Sequence, residues 1–392
     1  MTKSIPLLVT LYILLGFVVL STLAMPTYTA AQSHARIVVN TLSDTEANDF
    51  WCTLREAIKA ANSNAAYWGC GYSPSPDLRM DTILFAESLN GVIELSSALP
   101  VNQDRLEIFS VPHRIAIDGK GSHRVFTNRG TLRLVGLKIQ NGQSSTQGGA
   151  IYNESGGKLE LIETTFQANR ANQGGAIYNL GNVIIQRSTF LQNQSTGKGG
   201  AIANVQQGSV NIANSTFYQN EATQGGGGLW NKNSGAFLEN VTFWENRGTP
   251  GTALLSEIGE TFVGQNVYLY NSILASSGTA DDCHKDGGGL FGSPNLIKNP
   301  GNCSLTPIIR ADPKLGSLTG TPAYLPLLEG SPAIDSGDNN WCSQGLVNYT
   351  SQNGVSRPQD GNNDGIRRCD LGSFELPGSI DWIDLYLPYV SR

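Results

Sequence analysis

Between residues 131 and 289, apolar positions alternate with a period of two over short stretches, and the stretches recur. Leu159/Leu161, Val183/Ile185, Val210/Ile212 and Ala236/Leu238 stand seven and five positions ahead of Phe166, Phe190, Phe217 and Phe243. Alternation of this kind predicts strands, because successive side chains of a strand point to opposite faces. Thr164, Ser188, Ser215 and Val241 stand two positions before each phenylalanine and share its face. The parity therefore slips between the two stretches, at Glu163, Arg187, Asn214 and Asn240, where a polar residue suits an outward corner.

Two words punctuate the strands. Gly148-Gly149-Ala150-Ile151, Gly174-Gly175-Ala176-Ile177 and Gly199-Gly200-Ala201-Ile202 are followed in register by Gly225-Gly226-Gly227-Gly228-Leu229. Phe-x-x-Asn recurs at Phe166/Asn169, Phe190/Asn193, Phe217/Asn220 and Phe243/Asn246. A self-similar period of about 25 residues predicts a solenoid, whose repeats bury their apolar faces only against their neighbours. The template extends upstream to Leu132/Leu134 with Ile139 and downstream to Val267/Leu269 with Leu274. Six coils of three short strands follow, an all-β parallel β-helix on the order of 30 Å long. A Gly/Asn-rich linker would not hold aliphatic and aromatic residues at fixed places. The glycines suit sharp turns or positive φ, and the small alanine suits a crowded inner corner. Asn169 and its counterparts are expected to tolerate turn geometry and to hydrogen-bond up and down a column.

The rest of the 392 residues is organised around this stretch. Lys3, an apolar run over 7–23 and Thr29-Ala30-Ala31 read as a signal peptide over 1–31, cleaved after Ala31 or, second, Ala35. An uncleaved anchor is the competing reading of that run. Cys52-Thr53-Leu54-Arg55-Glu56 opens a short amphipathic helix with a Thr53/Glu56 capping box, expected to cover the bare first coil. Residues 32–91 form an N-terminal cap, 92–289 the β-helix with irregular leading coils, 290–376 a C-terminal capping region and 377–392 a tail. Only 15% of residues are charged and the net charge is −6, which provides no basic surface for nucleic acid. Six cysteines flank the coils in three local couples, so 52–70, 283–303 and 342–369 are the expected disulfides. Each would close a loop of roughly 20–30 residues and contribute about 3 kcal/mol. A zinc site would need a Cys-x-x-Cys or a suitably spaced His, and neither is present.

At three places the sequence resembles known families. Residues 52–62 resemble the short motif of CSLREA-domain proteins, with Thr53 in place of the usual Ser. The Gly-Gly-Ala-Ile and Phe-x-x-Asn words resemble polymorphic outer-membrane protein repeats, which implies a right-handed parallel β-helix. Ser331-Pro332-Ala333-Ile334-Asp335 through Cys369-Asp370-Leu371-Gly372-Ser373-Phe374-Glu375 is similar to the choice-of-anchor Q region of bacterial surface proteins. Together these imply a secreted or surface-displayed bacterial protein, in families that mostly lack a defined activity. The C-terminal end departs from the Leu-Pro-x-Thr-Gly and Pro-Glu-Pro sorting signals. Tyr386-Leu387-Pro388-Tyr389-Val390 reads either as another sorting tag or as a final strand.

Parallel β-helices often host polysaccharide lyases and hydrolases, so catalysis must be sought in the residues. A hydrolase needs carboxylates converging from adjacent coils. Glu160, Glu163, Glu221, Glu239 and Glu245 are scattered over the repeats and do not stack. Asp281-Asp282 is an adjacent pair beside Cys283 and His284, read as solvated turn residues, and the remaining histidines, His34, His113 and His123, have no evident carboxylate partner. Asp360, Asn362, Asp364 and Ile366 follow the first half of an EF-hand Ca²⁺ loop. Leu371 occupies the twelfth position and Asp370 would have to substitute, while an Asp/Asn/Gly turn is the plainer reading. Tyr152, Tyr178 and Trp230 hold equivalent places and could form a glycan-stacking face, as against interior stacking. The sequence thus favours a structural or adhesive, glycan-contacting surface rod without catalysis, with no cofactor unless Ca²⁺ and an extracellular polysaccharide as partner. No membrane insertion is expected once the signal is removed. A lyase or hydrolase with its site on loops before 131 or after 278 is the alternative.

Overall fold

The computed structural model describes residues 34–74, 79–111, 115–259 and 265–378. The signal peptide, His113 and the tail beyond residue 378 lie outside the described residues.

The chain winds into a parallel β-solenoid with three long faces. The eleven-stranded sheet collects the paired aliphatics, running from Ala35–Val39 through Asp81–Phe85, Arg105–Phe109 and Thr131–Val135 to Gly289–Phe291. The ten-stranded sheet carries the phenylalanines, in Thr165–Gln167, Thr189–Leu191, Thr216–Tyr218 and Thr242–Trp244. A seven-stranded sheet starts at the Ile of each glycine word, in Ile151–Asn153, Ile177–Asn179 and Ile202–Val205. The register matches the sequence template at both ends, with Phe166 beside Ile139 and Phe243 beside Leu274. A short fourth sheet, unforeseen in the sequence, joins Arg170–Ala171, Gln194–Ser195 and Glu221–Ala222.

The corners explain the repeat words. Gly136, Glu163, Arg187, Asn214, Asn240 and Asn271 form one column with φ between 46° and 67°, at the place where the strand parity slips. A second column of positive φ, Ala168, Gln192, Gln219 and Glu245, lies directly before Asn169, Asn193, Asn220 and Asn246. The bend is therefore made by the residue before each asparagine. The asparagine itself is buried, and its side chain turns inward to bond its neighbours. Asn169 Nδ2 donates to Asn193 Oδ1, Asn193 to Asn220 and Asn220 to Asn246, each at 2.9 Å. At the glycine word, a Cβ on Gly148, Gly174 or Gly199 would meet the carbonyl of the Ile three residues on, at φ of 59–71°.

Inside the rod, Phe166, Phe190, Phe217 and Phe243 stack with centroids 4.9, 4.6 and 4.6 Å apart. Such pairs contribute about 0.5–1.5 kcal/mol beyond their area burial. A second asparagine ladder runs through Asn102, Asn128, Asn153, Asn179, Asn204 and Asn231, with amide-to-carbonyl distances of 2.7–2.8 Å. Its signal in the sequence is an Asn two residues after each Ile or Leu of the glycine word. Alternation of apolar residues does not bring that signal out, and the ladder is an addition to the expected fold.

At the N-terminal end, helix α1 (Leu54–Ser63) has the expected reciprocal capping box between Thr53 and Glu56. Leu54, Ala57, Ile58 and Ala61 join the solenoid core. Arg55 and Glu56 have structural partners: Arg55 holds both carboxylate oxygens of Asp44, and Glu56 accepts from the backbone N–H groups of Ala47 and Thr53.

The C-terminal region does more than close the end of the rod. Residues 323–374 fold back along its flank, over the outward side of the phenylalanine sheet. Thr189, Thr216 and Thr242, which begin three of those strands, are buried and bonded to Ala323, Gln352 and Ser373. Asn240 donates to the carbonyl of Asp370, and Asn214 to that of Thr350. Leu327, Ala333, Leu371 and Phe374 form a second core with Ile273, Ala275 and Leu296. An end cap alone was expected because the sequence showed no complementary outer surface. The surface is the threonine and corner-asparagine columns, whose side chains bond a returning chain. The cysteines pair as Cys52–Cys70, Cys283–Cys303 and Cys342–Cys369.

Candidate functional site

On the outer face of the eleven-stranded sheet, equivalent residues form rows across the coils. One row reads Arg133, Glu160, Ile184, Asn211, Phe237, Tyr268, and its neighbour reads Ala213, Glu239, Tyr270. Towards the N-terminal coils the outward charges are matched: Arg133 pairs with Glu107 and Glu160, and Arg187 with Glu163. At Glu239 the matching stops. Its row neighbours are Ala213 and Tyr270, neither of them a cation.

Here the returning chain builds a wall. Helix α2 (Asn339–Cys342) begins at Asp338, which exchanges two hydrogen bonds with Asn271 at 2.8 and 2.9 Å. Cys342 is tied to Cys369, and the Leu346 carbonyl accepts from Gln186. Trp341 stacks on Tyr270 with centroids 3.6 Å apart and lies 6.1 Å from Phe237. Between wall and sheet is a cleft of about 530 Å³, faced by Phe237, Tyr268 and Trp341 and edged by Asn211, Asn266 and Gln344.

Glu239 lines this cleft and is only 4% exposed. Among the described residues nothing donates to its carboxylate, and no Lys, Arg or His lines the cleft. Burial pushes its pKa up to about 7. Burial also raises the Tyr270 phenol, with smaller contributions from Tyr268 and Glu239. The chemistry on offer is an apolar aromatic wall, amide donors and acceptors at the edge, and one acid without a partner.

The scaffold that presents this cleft has a counterpart among known sequences. Residues 163–180 and 187–205 match the model of the Chlamydia polymorphic membrane protein repeat. No curated protein and no solved structure matches the chain. Each matched stretch starts at a left-handed corner, Glu163 or Arg187, and runs past the stacked Phe and its Asn to the second asparagine ladder. The matched residues are thus those of the left-handed corners, the phenylalanine strands and the start of the seven-stranded face, while the paired aliphatics lie outside them.

The residues singled out in the sequence lie elsewhere. Tyr152, Tyr178 and Trp230 do share an outward row, but Tyr178 and Trp230 are each 4% exposed. Tyr178 stacks on Tyr152, and Trp230 donates to Glu257 and lies under Lys198 and Lys232. Two of the three rings therefore have no free face. Trp244 packs into the fold-back core.

In the loop from Asp360, the side-chain oxygens bond the loop's own backbone: Asp360 accepts from Asp364 and Gly365, Asn362 from Asp364, and Asp364 from Ile366. Asp370 does not join them, and among the described residues no cluster of three acidic, His or Cys groups converges on a metal position. Asp370 is buried in a knot with Glu375 and Arg357, its oxygens accepting from the N–H groups of Asp335 and Leu376. Burial, aided by Glu375, pushes Asp370 up to about 7. Burial raises Glu375 as well, with Arg357, 3.1 Å away, pulling in the other direction. Asp282, expected to be solvated, is buried and bonded to Thr252 and Asn299, because it follows the inner turn of the last coil; Asp281 is exposed. His34, expected to have no carboxylate partner, has Asp81 3.9 Å away.

Proposed function

We propose that the chain is a secreted or cell-surface β-helix, structural or adhesive, that contacts glycans and carries out no bond-breaking chemistry. The observation that carries this reading is the employment of the buried carboxylates. Asp44, Glu56, Asp282, Asp370 and Glu375 each bond structural partners, and Glu239 stands without a second acid in its cleft. Acid–base hydrolysis needs a pair of carboxylates about 5–10 Å apart across one sugar. The polymorphic membrane protein repeat supports a surface setting, as do three disulfides in one chain. The CSLREA-like helix start and the choice-of-anchor Q-like segment, here the fold-back with its Arg357 knot, support a bacterial surface protein.

The test is to incubate the purified chain with acidic and neutral polysaccharides, with and without Ca²⁺, following polymer size and co-sedimentation. Retention of a polymer at constant size is the expected result. Shortened polymers would overturn the non-catalytic reading and turn attention to the lyase or hydrolase class.

A further inference from the structure

The cleft at Glu239 has a built-in vacancy of charge. A carboxylate this buried is costly to ionise unless a cation or donor meets it. Its row neighbours and the returning chain provide none, and the tyrosines Tyr268 and Tyr270 are the titratable groups facing it. We propose that the cleft binds a sugar polymer carrying free amino groups. A protonated amine sits on the Glu239 carboxylate, and the pyranose rings lie against Phe237, Tyr268 and Trp341. This deepens the glycan-contacting reading above and rests on it.

Three features select this ligand over others. The aromatic faces suit the apolar faces of sugar rings and attract an adjacent cation, while Asn211 and Gln344 match ring hydroxyls. A uronate polymer would set a second negative charge beside Glu239, which like-charge repulsion disfavours. An extended lysine-bearing peptide would bind best by adding to a sheet edge. The strand Gly235–Glu239 offers no edge, because it is paired on both sides by Ser209–Ala213 and Asn266–Tyr270.

The experiment measures the affinity of the whole mature chain for a β-1,4-linked glucosamine hexamer, its fully N-acetylated counterpart and a lysine-bearing peptide. Tryptophan fluorescence and calorimetry provide the readouts. The glucosamine hexamer should bind intact and about thirty-fold tighter than the acetylated one, with Glu239→Gln abolishing that difference. The comparison of the two hexamers on the unmutated chain stands even if Glu239→Gln folds poorly. Equal affinity for both hexamers, an unchanged affinity in a folded Glu239→Gln, or tighter binding of the peptide would each overturn the proposal. Absence of binding would do the same while leaving the scaffold reading in place, whereas shortened hexamers would overturn both.

Discussion

Asn153 donates its side-chain amide to Oδ1 of Asn179 at 2.7 Å, and Asn179 makes the same bond to Asn204. Asn179 also accepts from the Gly181 N–H and donates to the Gly181 carbonyl. Removing its side chain leaves buried donors and acceptors unmatched on two coils, at about 1–3 kcal/mol per group. Asn179→Ala should therefore destabilise the rod by about 3 kcal/mol, with faster amide exchange centred on 153–204. Uniform exchange along the whole rod would contradict a ladder that couples neighbouring coils.

Phe217 lies between Phe190 and Phe243 and is fully buried. Phe217→Ala opens a cavity and interrupts the stack, an expected loss of about 3–5 kcal/mol in denaturant titration. Phe217→Leu keeps most of the volume and should cost less than half as much.

Two glycines separate conformational need from steric need. Gly156 has φ 84° and open space where a side-chain methyl would stand, with no atom within 4 Å, whereas a methyl on Gly174 would overlap the Ile177 carbonyl. Gly156→Ala should cost about 1 kcal/mol, the penalty of a left-handed L-residue. Gly174→Ala must shift backbone and should cost several-fold more. Similar melting temperatures for the two variants would contradict the crowded inner turn.

Glu239 and Asp370 both hold their protons up to about pH 7 in the folded chain, against ordinary values of 4.5 and 3.8. The folded state then binds protons more tightly than the unfolded one. The stability these groups confer is complete below about pH 4 and is lost as pH rises to about 7. Glu239→Gln should accordingly be more stable than the unmutated chain at pH 8, by about 1–3 kcal/mol, and no more stable at about pH 4. The same gain at both pH values would mean that the carboxylate is not desolvated.

The Cys342–Cys369 bond fastens the wall of the cleft, and its loop is of a length that stabilises by about 3 kcal/mol. Cys342→Ala/Cys369→Ala should release α2, changing Trp341 fluorescence and weakening hexamer binding while the Phe stack retains its protection from exchange. Unaltered fluorescence would show that the contacts of Asn271 and Asn214 hold the wall without the crosslink.

The repeat was legible because each coil is local: Phe166, its Asn169 and the Gly174 turn are written within one period, and their neighbours repeat them. The corner at Glu163 and Arg187 was visible as a slip in parity, though its positive φ was not, since neither residue is a glycine. The cleft was not legible. Glu239 reads as one acid among several, since the wall of its cleft, with Gly345 beside the carboxylate, lies far along the chain in a segment with no periodicity. The same holds for Thr216, whose partners Gln352 and Ser373 follow no repeat. Tyr178 and Trp230 were placed in the correct row, but the row does not show that Tyr152 stacks over Tyr178, or that Lys198, from the turn of another coil, and Lys232, two residues on, lie over Trp230.

The fold-back also decides how the rod carries load. Tension applied at residue 376 reaches the coils sideways, first through the bonds of Ser373 to Thr216 and Thr242 and of Asp370 to Asn240. A solenoid pulled from a bare last coil would instead peel, breaking one rung at a time. The returning segment turns a stack that unzips into a lap joint.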